Sequence, residues 1–244
     1  MIDVIYLLGS GSHWENREIR YSMRSLAKHA TGIRNLWVVG EKPKFLSGQA
    51  HHLAVPDVGY KTHATVHKVD VAVNEIADLT DRFVVMMDDV FLCRDCGDIA
   101  NWPYTYKYAF EAAPAGDEFF AVCGRNTYHL LDLLGLPKRN YGCHRPIVYD
   151  KQVWRSLAPC WRLSETLKYS LSHMMLMGNA LAARGVGQHR QQKDNKFTHF
   201  DGAAWADEII AERDCFSIGD GALEQGMGPY IQARYAEPSP WEVV

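Results

Sequence analysis

Short apolar runs alternate with amphipathic segments along the first ninety residues of the chain. The apolar runs end at glycine, proline or aspartate, and each predicts a buried strand. They lie at residues 3–8, 36–39, 52–55 and 83–87. Between them, apolar side chains recur at helical spacing in residues 18–30 and 65–77, which predicts two amphipathic helices. This alternation is typical of an α/β fold with a mainly parallel central sheet flanked by helices.

The second half of the chain has a less regular pattern. An aromatic segment at residues 102–110 precedes a Pro/Gly break at 114–116, and a helical pattern covers 164–183. Neither an internal repeat nor a long linker divides the sequence. We therefore expect a single domain over residues 1–244, in which the second half covers the sheet built by the first.

Composition excludes several classes of protein. Hydrophobic residues make up 47% and charged residues 23% of the chain, which is typical of a globular domain and not of a disordered one. A formal net charge of −3 argues against a protein that grips duplex nucleic acid broadly, although residues 184–196 form a local basic segment. The 11 His, 7 Trp and 12 Tyr suit a polar cleft with stacking surfaces.

Targeting signals and disulfides are not expected. The first residues lack a basic region before the apolar run, and no apolar stretch approaches the ~18 residues that cross a bilayer. We expect a cytoplasmic protein with no membrane contact. The six Cys are predicted to be reduced, and the single pair Cys93-x-x-Cys96 would need a partner such as Cys143-His144 to bind zinc.

Asp88 and Asp89 are the most informative pair of polar residues. They follow the apolar run at 83–87, and ligands of open α/β sheets bind at the carboxyl ends of the strands. Adjacent carboxylates repel each other unless a positive group offsets them, and their oxygens suit Mg²⁺ or Mn²⁺ that bridges a diphosphate. The alternative is a structural turn in which one aspartate caps a helix.

A glycine-rich loop follows the first predicted strand. The run Gly9-Ser10-Gly11-Ser12 stands where a nucleotide-binding loop would, but position 14 is Trp where a dinucleotide fingerprint has its third glycine. A loop whose backbone closes over a nucleotide and a flexible turn remain equal alternatives. A dehydrogenase is the weakest interpretation of this loop.

Basic side chains cluster near both predicted helix starts. Arg20 shares one helix face with Arg17 and Arg24, where a solvated basic stripe is the alternative to ligand binding. His63 and Lys68 lie at the head of the second helix, where backbone N–H groups attract anions such as a diphosphate. An exposed polar helix start explains them equally well.

Three residues of the second half are candidates for catalysis or binding. The adjacent His144 and Arg145 could contact departing phosphate charge, and Asp220 could orient or deprotonate an acceptor hydroxyl. Each of these residue types, taken singly, is more often structural.

The motifs together resemble the Stealth family, in the same order along the chain. They are residues 2–6, the helix 18–26, the block 83–92 with its Asp88-Asp89, the segment His144-Arg145-Pro146, and the run 238–242. This family comprises sugar-phosphate transferases of capsule synthesis and the lysosomal-enzyme GlcNAc-phosphotransferase. The resemblance, which extends to short phage-encoded relatives, implies a GT-A-like fold that uses UDP-sugars.

The resemblance also implies roles for individual residues and segments. Asp88 and Asp89 would hold the donor's metal and diphosphate, while Arg20, His63 and His144 would surround the transferred group. Residues 1–95 would form the nucleotide-sugar-binding half and residues 96–244 the acceptor-side half.

Two positions depart from the family's pattern. The family's Trp-Val-(Asp/Asn)-Gly-Ser-Asp run is replaced by residues 8–12, and Met87 stands where an Asn usually precedes the aspartate pair. An acidic residue expected near the sugar is therefore absent. These departures favour simple glycosyl transfer over transfer of a phosphosugar.

The leading hypothesis from the sequence is therefore a metal-dependent glycosyltransferase. It would move a sugar from a UDP-sugar to a hydroxyl acceptor, with donor contacts from Gly9, Ser10, Gly11, Arg20, His63, Lys68, Asp88 and Arg145. Asp89, His144 and Asp220 would be catalytic, and Mn²⁺ or Mg²⁺ would bind Asp88 and Asp89 and offset the charge of the departing UDP.

The acceptor and the class of activity stay open at the level of sequence. The acceptor could be a polysaccharide, a small molecule or, given the phage relatives, a hydroxymethylated base in DNA within a host cytoplasm, flipped into a pocket. One alternative is a sugar-1-phosphate transferase of the Stealth type that acts on polysaccharide. Another is a module that binds a nucleotide-sugar without catalysis.

Overall fold

The computed structural model describes residues 1–10 and 14–243 of the chain. The strands among these residues are β1 (Ile2–Leu8), β2 (Ala30–Thr31), β3 (Ile33–Gly40), β4 (His51–Leu53), β5 (Arg82–Met87), β6 (Val90–Leu92), β7 (Gly97–Asp98), β8 (Tyr104–Tyr106), β9 (Ile147–Asp150), β10 (His189–Gln191), β11 (Lys196–Phe197) and β12 (Cys215–Ile218). The helices are α1 (Glu18–His29), α2 (Lys61–Glu75), α3 (Phe119–Leu133), α4 (Lys151–Ser156), α5 (Ala158–Thr166), α6 (His173–Ala183), α7 (Ala203–Ala211), α8 (Asp220–Ala222) and α9 (Gly228–Arg234).

The central sheet has five strands in the order β4-β3-β1-β5-β9. β4, β3, β1 and β5 are parallel, and β9 is an antiparallel strand at one edge. Every residue of β1 is buried, since helices cover both faces of the sheet. The predicted α/β fold with a mainly parallel sheet is therefore confirmed.

The two crossover helices cover opposite faces of this sheet. The connection through α1 runs from β1 to β3, while that through α2 runs back from β4 to β5. Right-handed crossovers in opposite directions place their helices on opposite sides. α1 also packs on β6, whereas α2 packs on α5 and α6. Both helices therefore begin at the edge where the parallel strands end.

The helical pattern at 164–183 corresponds to two helices with a break between them. α5 ends at Thr166, and α6 begins only at His173. The side chain of Ser172 accepts a hydrogen bond from the amide of Met175, which caps the start of α6. A cap inside an apolar pattern is a local signal for this break.

A second, smaller sheet carries its own apolar cluster. The antiparallel strand β6 pairs with β12, and β12 pairs with β11. Phe91 and Phe216 stack across β6 and β12 with ring centroids 5.0 Å apart, and Tyr235 stacks on Phe91 at 5.8 Å. This cluster fixes the position of the small sheet beside α1.

The structure contains neither a disulfide nor a membrane-spanning helix among the described residues. All six cysteines are free thiols, and four of them are buried. In the described ranges, no helix combines the length and the apolar character that a membrane span requires.

A buried glutamate ties the last described segment to α1. Arg24 donates to both carboxylate oxygens of Glu242 at 2.8 and 2.9 Å, and Arg20 Nε donates to Oε2 at 2.5 Å. Burial alone would raise the pKa of Glu242, but hydrogen bonds from Arg24, the Ser239 amide and Arg20 outweigh it and lower the pKa from 4.5 to about 2. The carboxylate is therefore charged in the folded protein at neutral pH.

We expect Glu242→Gln to lower the free energy of unfolding by about 2 kcal/mol at pH 7, because two arginines lose a buried partner. Since the folded-state pKa is lowered, the stabilisation is full above pH 4.5 and disappears as the pH falls towards 2. Urea unfolding at several pH values measures both effects. Glu237→Gln, at an exposed position, is the control; equal stability of the Glu242 variant and the wild type at pH 7 would contradict the argument.

Candidate active site

The aspartate pair lies at the carboxyl end of the most buried part of the sheet. The side chains of β5 from Phe83 to Met86 are buried, and the chain turns at Asp88 and Asp89 before β6. Leu7 of β1 pairs with Met87 of β5, so the loop after β1 begins beside the aspartates at the ~4.8 Å spacing of neighbouring strands. An apolar strand thus delivers two carboxylates to the rim of the sheet.

The surroundings of Asp88 disfavour its negative charge. Burial, followed by the charges of Asp89 and Glu18, raises the pKa of Asp88 from 3.8 to about 7. Beneath it, the hydroxyl of Tyr6 lies 3.0 Å from the hydroxyl of Ser22. Burial raises the pKa of Tyr6, and the charge of Asp88 adds to the shift, so this tyrosine stays neutral. A positive partner at Asp88 would relieve the crowding of carboxylates.

Asp89 has cationic neighbours. Nδ1 of His144 lies 2.9 Å from Oδ2 of Asp89, and Nζ of Lys196 lies 3.9 Å from the same oxygen. Nδ2 of Asn195 donates to the backbone carbonyl of His144 at 2.9 Å, which holds the histidine from behind. Nε2 of His144 has no hydrogen-bond partner in the described part of the chain. The carboxylate therefore orients the imidazole and leaves one ring nitrogen available to a substrate.

The small sheet positions Asp220 near the aspartate pair. The amide of Ile218, at the end of β12, donates to the backbone carbonyl of Asp89 at 3.2 Å. Asp220 follows two residues later, begins α8 and is exposed. The structure therefore brings the backbone of Asp220 close to the turn at Asp88 and Asp89, from which it is more than one hundred residues away in sequence.

The loop after β1 is tied to a second ion pair. The amide and hydroxyl of Ser10 contact Oδ2 of Asp57 at 3.2 and 3.3 Å, and Lys68 donates to Oδ1. A Cβ on Gly9 would lie 3.3 Å from Asp57, so a larger residue would press on this carboxylate. Burial would raise the pKa of Asp57, but the hydrogen bonds from Lys68 and Ser10 and the charge of Lys68 together outweigh it and lower the pKa. Gly11 lies outside the described residues.

Asp57 is a site residue that the sequence reasoning missed. The available signal was its position after Pro56, at the end of the edge strand β4. Lys68 lies on α2 with 3% of its surface exposed, and its charge is matched by Asp57. The predicted contact of Lys68 with a donor phosphate therefore competes with an existing internal partner.

Three other predicted donor contacts point elsewhere. Arg20 is held by Glu242, as described for the fold. Nε2 of His63 lies 3.1 Å from two backbone carbonyls, those of Ser164 in the last turn of α5 and Leu167 just after it. His63 also lines a cavity of about 820 Å³ beside α2. Arg145 has no ion pair with either aspartate; its guanidinium lies between Cys215 and the carbonyl of Lys193. The structure does not bring these three side chains to Asp88 and Asp89.

Several named proteins share sequence similarity with this chain. No protein-family model matches it. It is 25% identical over 168 residues to the exopolysaccharide phosphotransferase of Streptomyces coelicolor, a match that covers 60% of this chain and 18% of the relative. Relatives from further organisms are also named as phosphotransferases.

The chain is 30% identical over 109 residues to the N-acetylglucosamine-1-phosphotransferase subunits alpha/beta of Homo sapiens, over 38% of this chain and 8% of that protein. It is 28% identical over 88 residues to the capsular polysaccharide phosphotransferase of Neisseria meningitidis serogroup B, over 32% and 24% respectively. These relatives support a Stealth-like relation, and all three are named as phosphotransferases. The matches span less than a quarter of each relative's length.

Replacing Asp57 by Ala should destabilise the protein, because the nearly buried ammonium of Lys68 loses its partner. The Asp57 side chain is 37% exposed, so we expect about 1–2 kcal/mol, less than for a fully buried pair. Urea unfolding of Asp57→Ala, Lys68→Met and the double variant measures the effect. The double variant should recover part of the loss; wild-type stability of Asp57→Ala alone would contradict the assignment.

Proposed function

We propose that this chain transfers a sugar 1-phosphate from a UDP-sugar to a hydroxyl of a polysaccharide, on a GT-A-like fold. The observation that carries the proposal is the Asp89–His144 pair beside Asp88 at the carboxyl ends of the strands. The names of the relatives support phosphosugar transfer over the glycosyl transfer that the sequence departures favour. None of these names refers to nucleic acid, so a base in DNA has no support as the acceptor.

Asp88 and Asp89 fit a divalent cation that bridges a diphosphate. In the described part of the chain no group of three or more His, Cys, Asp or Glu side chains forms a complete metal site. Mg²⁺ and Mn²⁺ sites of this kind need only one or two carboxylates, since substrate phosphates and water complete the shell. The negative charges of Asp89 and Glu18 near Asp88 favour binding of a cation there. The bound cation would neutralise charge on the departing nucleotide.

His144 is placed to act as the general base. Its Nδ1 is held by Asp89, so Nε2 can take the proton of the acceptor hydroxyl. The hydroxyl oxygen then bonds to the β-phosphorus of the UDP-sugar, the bond from that phosphorus to the bridging oxygen breaks, and UMP leaves with that oxygen. Lys196 adds positive charge next to Asp89. Asp220, exposed on the rim, would bind acceptor hydroxyls.

The released nucleotide distinguishes the candidate reactions. We expect UMP when the protein is incubated with UDP-N-acetylglucosamine and a purified exopolysaccharide, since the phosphate leaves with the sugar. Chromatography of the nucleotides measures the outcome. Release of UDP would instead establish glycosyl transfer, and binding of the UDP-sugar without release of either nucleotide would establish a non-catalytic binding module.

Loss of the Asp89–His144 pair should abolish turnover without unfolding the protein. We expect His144→Gln and Asp89→Asn to lower the rate of nucleotide release by about 10²-fold or more, the range of general-base catalysis. His51→Gln, on the edge strand β4, is a matched control. Activity of His144→Gln equal to that of the control would overturn the assigned role of His144.

Cation binding should depend on Asp88. We expect Mn²⁺, titrated in the presence of UDP, to bind the wild-type protein and to bind Asp88→Asn at least about tenfold more weakly, because a carboxylate ligand is lost. Calorimetry measures the two affinities. Asp132→Asn, an exposed carboxylate on α3, is the control, and equal Mn²⁺ affinity of the Asp88 variant and wild type would contradict a metal role.

A further inference from the structure

Two arginines line a second cavity without a carboxylate partner. This cavity of about 610 Å³ lies between α7 and the segment that precedes β11, and Arg145 and Arg213 form part of its lining. Arg145 is 2% exposed, and its Nε has no hydrogen-bond partner. Nη1 of Arg213 is likewise buried without a partner, and its guanidinium stacks on Phe197 at 5.3 Å. Neither arginine forms an ion pair within the described residues.

The nearest acidic residues are occupied or exposed. Asp214, next to Arg213 in sequence, pairs with Arg94 and Arg190 on the other side of the chain. Asp194 pairs with Lys107. Two glutamates also line the cavity, Glu208 and Glu212, but both are exposed. Neither guanidinium has a carboxylate at ion-pair distance, and burial, followed by the charge of Arg145, lowers the pKa of Arg213 more than the charges of Asp194 and two cysteines raise it.

A buried guanidinium (Arg145) next to a half-buried one (Arg213), neither of them with a carboxylate partner, is costly for a folded protein. Arginine groups of this kind match the oxygens of phosphate by paired N–H donors. Lys193 adds a further positive charge to the lining, and Trp205 supplies an aromatic face. A cavity of this volume exceeds a phosphate ion and fits an organic phosphate with a ring.

We propose that this cavity binds a phosphate ester, with the phosphate at Arg145, Arg213 and Lys193 and the ring of the ligand against Trp205. The proposal concerns binding alone and does not depend on the proposed transfer reaction. The cavity adjoins the candidate active site, because Asn195 bonds the carbonyl of His144 and directly follows the lining residue Asp194. A ligand there would also contact the segment that positions His144.

Inorganic phosphate is the first probe, used with EDTA so that no divalent cation recruits it to Asp88. We expect phosphate to raise the melting temperature of the wild type and of Arg190→Gln, whose arginine already has a carboxylate partner. Arg213→Gln should bind phosphate at least about tenfold more weakly. Without phosphate, Arg213→Gln should be at least as stable as the wild type, because a half-buried positive charge next to Arg145 is removed.

Several outcomes would overturn the proposal. An equal phosphate-dependent shift in wild type and Arg213→Gln would show general salt stabilisation only. A large loss of stability in Arg213→Gln without phosphate would show that the arginine has a structural role. Arg145→Gln, measured in the same way, supplies the second test of the guanidinium pair.

The class of ester is distinguished with UMP and N-acetylglucosamine 1-phosphate, both measured by calorimetry in EDTA on an Asp88→Asn background. We expect at least one ester to bind more tightly than inorganic phosphate, and Trp205→Ala to remove that advantage. Tighter binding of UMP indicates a nucleotide site, and tighter binding of the sugar phosphate indicates a saccharide site. Equal affinity for all three would overturn the ring contact with Trp205.

Discussion

The burial of negative charge at the end of β5 is the constraint on which the rest of the site depends. An apolar strand in the middle of a parallel sheet ends in two adjacent carboxylates, and Glu18 of α1 adds a third acidic charge close to Asp88. Asp89 is balanced by His144 and Lys196, whereas Asp88 is left with a pKa near 7. The protein's own cationic side chains therefore balance the charge of Asp89, whereas the charge of Asp88 can be neutralised by a ligand or a proton.

The small sheet supplies Lys196, one of the two groups that balance the charge of Asp89. β6 continues directly from the aspartate turn and pairs with β12, which carries β11 and Lys196 on its other side. The stacked rings of Phe91 and Phe216 hold these strands together. Because His144 precedes β9 of the central sheet and Lys196 lies on β11 of the small sheet, the distances around Asp89 depend on the second apolar cluster as well as on the central sheet.

Local patterns in the sequence were sufficient for the central elements. Continuous apolar runs identify β1, β3 and β5, and helical spacing identifies α1 and α2, because burial on both faces of a sheet or on one face of a helix leaves a local signature. The position of Asp88 and Asp89 followed from the strand end alone. Partners such as Asp57 for Lys68 and Glu242 for Arg20 have no local signature, since each pair is made by tertiary packing. For this reason two of the predicted donor contacts proved to have internal partners.

The near-neutral net charge of the chain results from local groups of like charge that cancel in the total. Although the net charge is only −3, like charges lie together at two places on either side of the segment that contains Asn195. The carboxylates of Asp89 and Glu18 lie near Asp88, and the guanidinium of Arg213 lies near Arg145. An ion pair between the two groups would neutralise both charges. However, His144 faces the carboxylates, and Arg145, the next residue, faces the second cavity. Because these adjacent side chains point in different directions, the carboxylates and the guanidinium groups stay apart. The two proposed ligands, a cation at Asp88 and a phosphate at Arg145 and Arg213, carry charges opposite to the side chains that would bind them.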